Sequence, residues 1–163
     1  MPGPQDPVVT YLEVAYDLVE ADPSTAFDQN QVENKLGMDE DVKRHTLRDL
    51  ENRGLVTHEG GTQYRLTLPA IHSVEEHRLA EGRDAEVDPL REERGDYVRT
   101  VFDLAEGDPT ASVPTNSVLT EMELTPTVER RTRAYLVEAG LLEEAGEGEV
   151  RLSEAGAEWA MSA

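Results

Sequence analysis

The chain repeats itself, and few folds are compatible with the spacing of that repeat. Sliding the sequence by 86 positions lays Tyr11 on Tyr97, Asp17-Leu18 on Asp103-Leu104, Asp22-Pro23 on Asp108-Pro109, Asn30 on Asn116 and Val42 on Val128. The same shift lays Arg44 on Arg130, Thr46 on Thr132, Leu50 on Leu136, Gly54-Leu55 on Gly140-Leu141 and Arg65-Leu66 on Arg151-Leu152. Between 11 and 70 there are 17 identities in 60 ungapped positions, where composition alone gives roughly four. A length of 163 residues suits one large domain or two small ones. The repeat favours two copies of one small domain.

Each copy reads as three helices and a hairpin. Leu12, Ala15, Tyr16 and Val19 recur at helical spacing, and Val98, Val101, Phe102 and Ala105 stand at the matching places. Asp22-Pro23 and Asp108-Pro109 end this first helix, because the residue before proline is pushed out of the helical region. A short second helix carries Val32 and Leu36, or Val118 and Met122. A third opens at the N-cap candidates Asp39 and Thr125, and Val42/Thr46/Leu50 and Val128/Thr132/Leu136 are expected to face inward. Gly54 and Gly140 close it. Strands around Gly60-Gly61 and around Gly146-Glu147-Gly148 then form a hairpin in each copy.

The segments "LGMDEDVKRHTLRDLENRGLVTHEGGTQYRLT" and "MELTPTVERRTRAYLVEAGLLEEAGEGEVRLSEAG" together resemble the winged helix-turn-helix family. The resemblance covers 8–78 and 94–161. It implies a mainly α fold with small β-hairpins (α+β), arranged as tandem winged helix-turn-helix domains. The intervening 79–93, "LAEGRDAEVDPLREE", matches neither copy and is expected to be a charged, partly helical linker. Ile71 and Val74 suggest a fourth helix, which would either cap its own domain or serve for pairing.

Charge narrows the functional classes. Lys plus Arg number 15 against 35 Asp plus Glu, a formal net charge of −20, and only Lys35 and Lys43 are lysines. Acid excess with little lysine resembles proteins of salt-loaded cytoplasm; a GC-rich genome accounts for the missing lysine but not for the acid. No cysteine is present, which excludes disulfides and thiolate metal cages. No apolar run is long enough to span a bilayer. The opening Met-Pro-Gly-Pro-Gln-Asp has no signal-peptide pattern, so a cytoplasmic protein without membrane contact is expected. The carboxylates specify no cleft, the glycines sit at hairpin turns, and His72 and His77 are five apart, not on one helical face. No enzymatic activity, metal or cofactor is therefore expected.

The few cations are gathered. Lys43, Arg44, Arg48 and Arg53 lie in the first third helix, and Arg130, Arg131 and Arg133 in the second. In the family this chain resembles, the third helix enters the major groove of double-stranded DNA, where arginine grips guanine O6 and N7. The wing meets phosphate or the minor groove. The resemblance thus implies nucleic-acid contacts at Lys43, Arg44, His45, Arg48, Arg65, Arg130, Arg131, Arg133 and Arg151. Two such helices in one chain imply a transcriptional regulator acting as a covalent pseudo-dimer on two half-sites about 34 Å apart. Surface ion pairing with neighbours such as Asp39, Asp41, Asp49 and Glu129 is the competing role for these arginines. Between 39 and 53 there are four cations and five anions; between 125 and 139 there are three and two, so the second copy is expected to bind better. A non-enzymatic scaffold that docks a protein partner through its acidic surface is the alternative function, and a homodimer is a further expectation.

Overall fold

The computed structural model describes residues 6–162; of the opening residues read for a leader, Met1 to Gln5 lie outside them. The chain divides after Arg83 into two compact units. The first contains α1 (Pro7–Val19), β1 (Phe27–Asp28), α2 (Gln29–Leu36), α3 (Glu40–Asn52), β2 (Val56–Gly60), β3 (Gln63–Leu66) and α4 (Leu68–Ala80). The second contains α5 (Asp84–Leu104), β4 (Val113–Pro114), α6 (Thr115–Met122), α7 (Pro126–Glu138), β5 (Leu142–Gly146), β6 (Glu149–Leu152) and α8 (Glu154–Ser162). The architecture is α+β. From β1 through β3, every boundary recurs 86 residues later in the second unit.

Local chemistry sets these boundaries. The Asp39 carboxylate accepts from the Val42 amide and the Thr125 hydroxyl from that of Val128, so α3 and α7 start at capped ends. Both end at a glycine with positive φ, Gly54 at 69° and Gly140 at 77°. α1 stops earlier than the proline signal predicts, at left-handed Glu20 and Ala21, three residues ahead of Pro23. Asp22 instead caps the following turn, accepting from the Ser24 amide and from the hydroxyls of Ser24 and Thr25.

Two features differ from the sequence reading. Each hairpin gains a third strand: the antiparallel orders are β1-β3-β2 and β4-β6-β5, with Phe27 opposite Tyr64 and Val113 opposite Val150. Two-residue strands carry no alternation to be read from sequence. The stretch 79–93 is also divided: Leu79 and Ala80 end α4, and α5 runs unbroken across Pro89 into the first helix of the second copy. Its last part is held by α7. Glu93 accepts from the Thr132 hydroxyl at 3.0 Å, and the Arg94 guanidinium lies 3.7 Å above the Tyr135 ring.

In the first unit, Tyr11, Leu12, Ala15, Tyr16 and Val19 of α1 pack with Val32, Leu50, Leu66, Ile71 and Val74, all buried. α4 therefore covers its own unit. In the second, Tyr97, Val98 and Val101 join Val118, Leu136, Leu142 and Val150. Among the described residues no helix is long and apolar enough to cross a membrane.

Candidate nucleic-acid interface

α3 is seated by Thr46 and Leu50, at 4% and 0% exposure, and its opposite face carries Arg44, His45 and Arg48 in the open. Val42, expected inward, is 37% exposed. A strict four-residue spacing rotates about 40° per step on a helix of 3.6 residues per turn, so Val42 has turned off the core side. Among the described residues, Arg44, His45 and Arg48 make no ion pair. Lys43 is held: its Nζ stands 3.8 Å from Glu33 and 3.4 Å from Glu40.

α7 is different. Arg130 is exposed and unpaired among the described residues, but its neighbours are engaged. Arg131 Nη2 lies 3.8 Å from Glu93 Oε1. Arg133 donates from Nε to Glu129 at 2.9 Å and from Nη1 to Glu144 at 3.4 Å. Glu129 is itself buried and accepts from the buried Tyr97 hydroxyl at 2.6 Å. Burial, with the Glu129 hydrogen bond and charge behind it, pushes the Tyr97 pKa up. Burial opposes the charge on Arg133, but the Glu129 contact outweighs it and leaves that pKa raised. The first unit has no such triad, since Lys43 and Leu47 stand where the second has Glu129 and Arg133.

Both hairpin arginines, Arg65 and Arg151, face carboxylates across their own hairpins. Arg65 pairs with Glu59, and Arg151 Nη2 with Glu143 at 3.0 Å. These side chains are each about a third or more exposed, so the pairs contribute roughly 0–1 kcal/mol and a phosphate can compete for the guanidinium. The nine sequence candidates thus separate into four free groups, Arg44, His45, Arg48 and Arg130, and five held by carboxylates. Counting charge along the helices favours the second copy, yet the first presents more free cations, because the acids that quench α7 include Glu93 and Glu144, distant in sequence.

Beneath α3 sits Glu33 of α2, which the sequence reading passed over. Burial raises its pKa above 4.5, the ordinary carboxylate value, against the lowering effect of Lys43. A carboxyl with a raised folded pKa favours folding below its unfolded value, and that contribution is lost as pH rises through the folded one. Glu33→Gln is accordingly expected to flatten the decline in stability from about pH 4.5 toward neutrality. Urea melts of both proteins across that range check this; parallel pH profiles would contradict it.

One further cluster also escaped the sequence reading, although His77 and Glu81 have i,i+4 spacing. Ligand atoms of Glu13, His77 and Glu81 lie within 4.8 Å of one another. Arg78 Nε and Arg83 Nη1 approach the same Glu13 oxygen at 3.2 and 2.9 Å. Two guanidiniums already neutralise the carboxylate that a metal would need.

The geometry defines a pair of α+β units, the first with Arg44 and Arg48 free on an exposed helix face and the second with Arg130. No protein-family model and no curated protein matches the chain. Among solved structures, the mRNA-binding domain of elongation factor SelB from E. coli, in complex with SECIS RNA, aligns with a TM-score of 0.34 at 12% identity. That alignment spans 88% of this chain and 98% of the other. An overlap at this level assigns neither fold family nor ligand.

Proposed function

We propose that the chain is a pair of tandem winged helix-turn-helix domains that binds double-stranded DNA without enzymatic activity, as a regulator of transcription. The observation that carries the reading is the exposed face of α3, where Arg44, His45 and Arg48 remain unpaired on a molecule of net charge −20. Among the described residues Lys35, Arg53 and Arg130 are exposed and unpaired as well, but only on α3 do two unpaired arginines share one helix face. Arg44 and Arg48 are four apart, and so extend from the same side of the helix with one turn between them. Two guanidiniums so placed can each offer a bidentate pair of donors to guanine or to phosphate. The acidic body repels DNA elsewhere, which confines contact to this face.

Fluorescence anisotropy with a labelled mixed-sequence duplex about two helical turns long, at several KCl concentrations, tests the reading. The Arg44→Ala/Arg48→Ala double variant is expected to bind at least about tenfold more weakly. If both arginines meet phosphate, the slope of log affinity against log salt flattens by about 1.8. Unchanged binding by the variant, or no binding by the wild type at any salt, overturns the proposal.

A protein-docking scaffold is the second reading, favoured by one observation: both wing arginines are already taken by glutamates of their own hairpins. A stoichiometric complex with a basic partner that survives the double substitution would support it.

A further inference from the structure

The two copies do not present equal faces, and the inequality lies in a few matched positions. Three carboxylates hold two of the three arginines of α7: Glu93 against Arg131, Glu129 against Arg133, and Glu144 also against Arg133. At the equivalent positions of the first copy, 86 residues earlier, stand Pro7, Lys43 and His58. None of these carries a negative charge. The restraint on α7 has therefore been built, or lost from α3, at every one of the three positions together. The guanidiniums it engages are themselves withdrawn from solvent: the Arg131 and Arg133 side chains are 21% and 23% exposed. Ala134 replaces Arg48 at the next outward position, which removes a second donor from that face.

We infer that the first copy alone reads DNA through its third helix, while the α7 face of the second copy is held shut by Glu93, Glu129 and Glu144. The inference rests on the DNA-binding reading above and replaces a pseudo-dimer reading with both third helices by a single-helix reader. The chain then specifies one half-site, and the second copy contributes no base contacts of its own. Arg130 remains as a lone cation and gives at most one phosphate contact.

The same duplex and anisotropy assay separate the possibilities, using Arg44→Ala and Arg130→Ala individually and Glu93→Gln/Glu144→Gln as a release variant. Arg44→Ala is expected to weaken binding at least about fivefold, and Arg130→Ala less than about twofold. The release variant is expected to bind more tightly than wild type, and the gain to disappear when Arg131→Ala is added, which distinguishes a freed guanidinium from a mere loss of negative charge. Equal costs for Arg44→Ala and Arg130→Ala overturn the inference but leave the DNA reading intact, as does a gain that survives Arg131→Ala. Failure of the wild type to bind the duplex removes the DNA reading and this inference with it.

Discussion

Leu50→Ala and Leu136→Ala are each expected to cost about 3 kcal/mol of stability. Both side chains sit at the inner end of a third helix, at 0% and 1% exposure, and each is the matched anchor of its copy. Truncation removes three carbons from a packed core, and the loss of transfer energy is joined by that of a cavity which the surrounding helices close only in part. Most of the remaining α3 surface is polar, so little besides Thr46, Leu47 and Leu50 fixes the helix to its unit. Leu50→Ala should therefore also weaken DNA binding near its own unfolding midpoint, whereas Leu136→Ala should spare it there. Urea melts with unchanged m-values check the first part; a loss below about 1 kcal/mol for either variant would show that the helix is held by something other than these anchors.

Gly156→Ala is expected to be as severe, at about 3 kcal/mol, because there is no room for the added carbon. A Cβ at Gly156 would stand 2.0 Å from the carbonyl oxygen of Leu141 and 3.0 Å from its carbonyl carbon. That oxygen accepts the Ser153 amide, and the Gly156 amide in turn bonds the Ser153 hydroxyl. The obstruction is the backbone of Leu141, between α7 and β5, so a rotamer change cannot relieve it. The matched residue of the first copy is Ala70, fully buried without such a collision. Reversing it with Ala70→Gly should cost only about 1 kcal/mol, for lost helix propensity and one methyl. Thermal melts of the two variants give the comparison. A Gly156→Ala protein as stable as wild type would contradict the close approach of α8 to Leu141.

The helices were legible because their core contacts are local. Leu12, Ala15, Tyr16 and Val19 are spaced to share one face, and Asp39 and Gly54 bracket α3 within the sequence itself. The short strands β1 and β4 were not, since a strand of two residues exists only through its pairing with β3 or β6. The candidate site was legible in part. That Arg44, His45 and Arg48 point outward follows from helical spacing around Thr46 and Leu50. That Arg133 is bound follows in part from Glu129, one turn earlier. The capture of Arg131 and the second contact of Arg133 depend on Glu93 and Glu144, whose approach is made by tertiary packing. Local charge counting does not register either of these contacts. Val42 shows the same limit at smaller scale: an i, i+4, i+8 stripe drifts around the helix and leaves one of its members exposed.

A titration of the isotopically labelled chain with the mixed-sequence duplex, followed by backbone-amide and arginine Nε–Hε NMR signals, puts the account to its most direct test. The largest shifts are predicted within Glu40–Asn52 and at the Nε–Hε groups of Arg44 and Arg48, with small changes along Pro126–Glu138. Shifts of equal size on both third helices, or shifts that avoid α3 altogether, would contradict it.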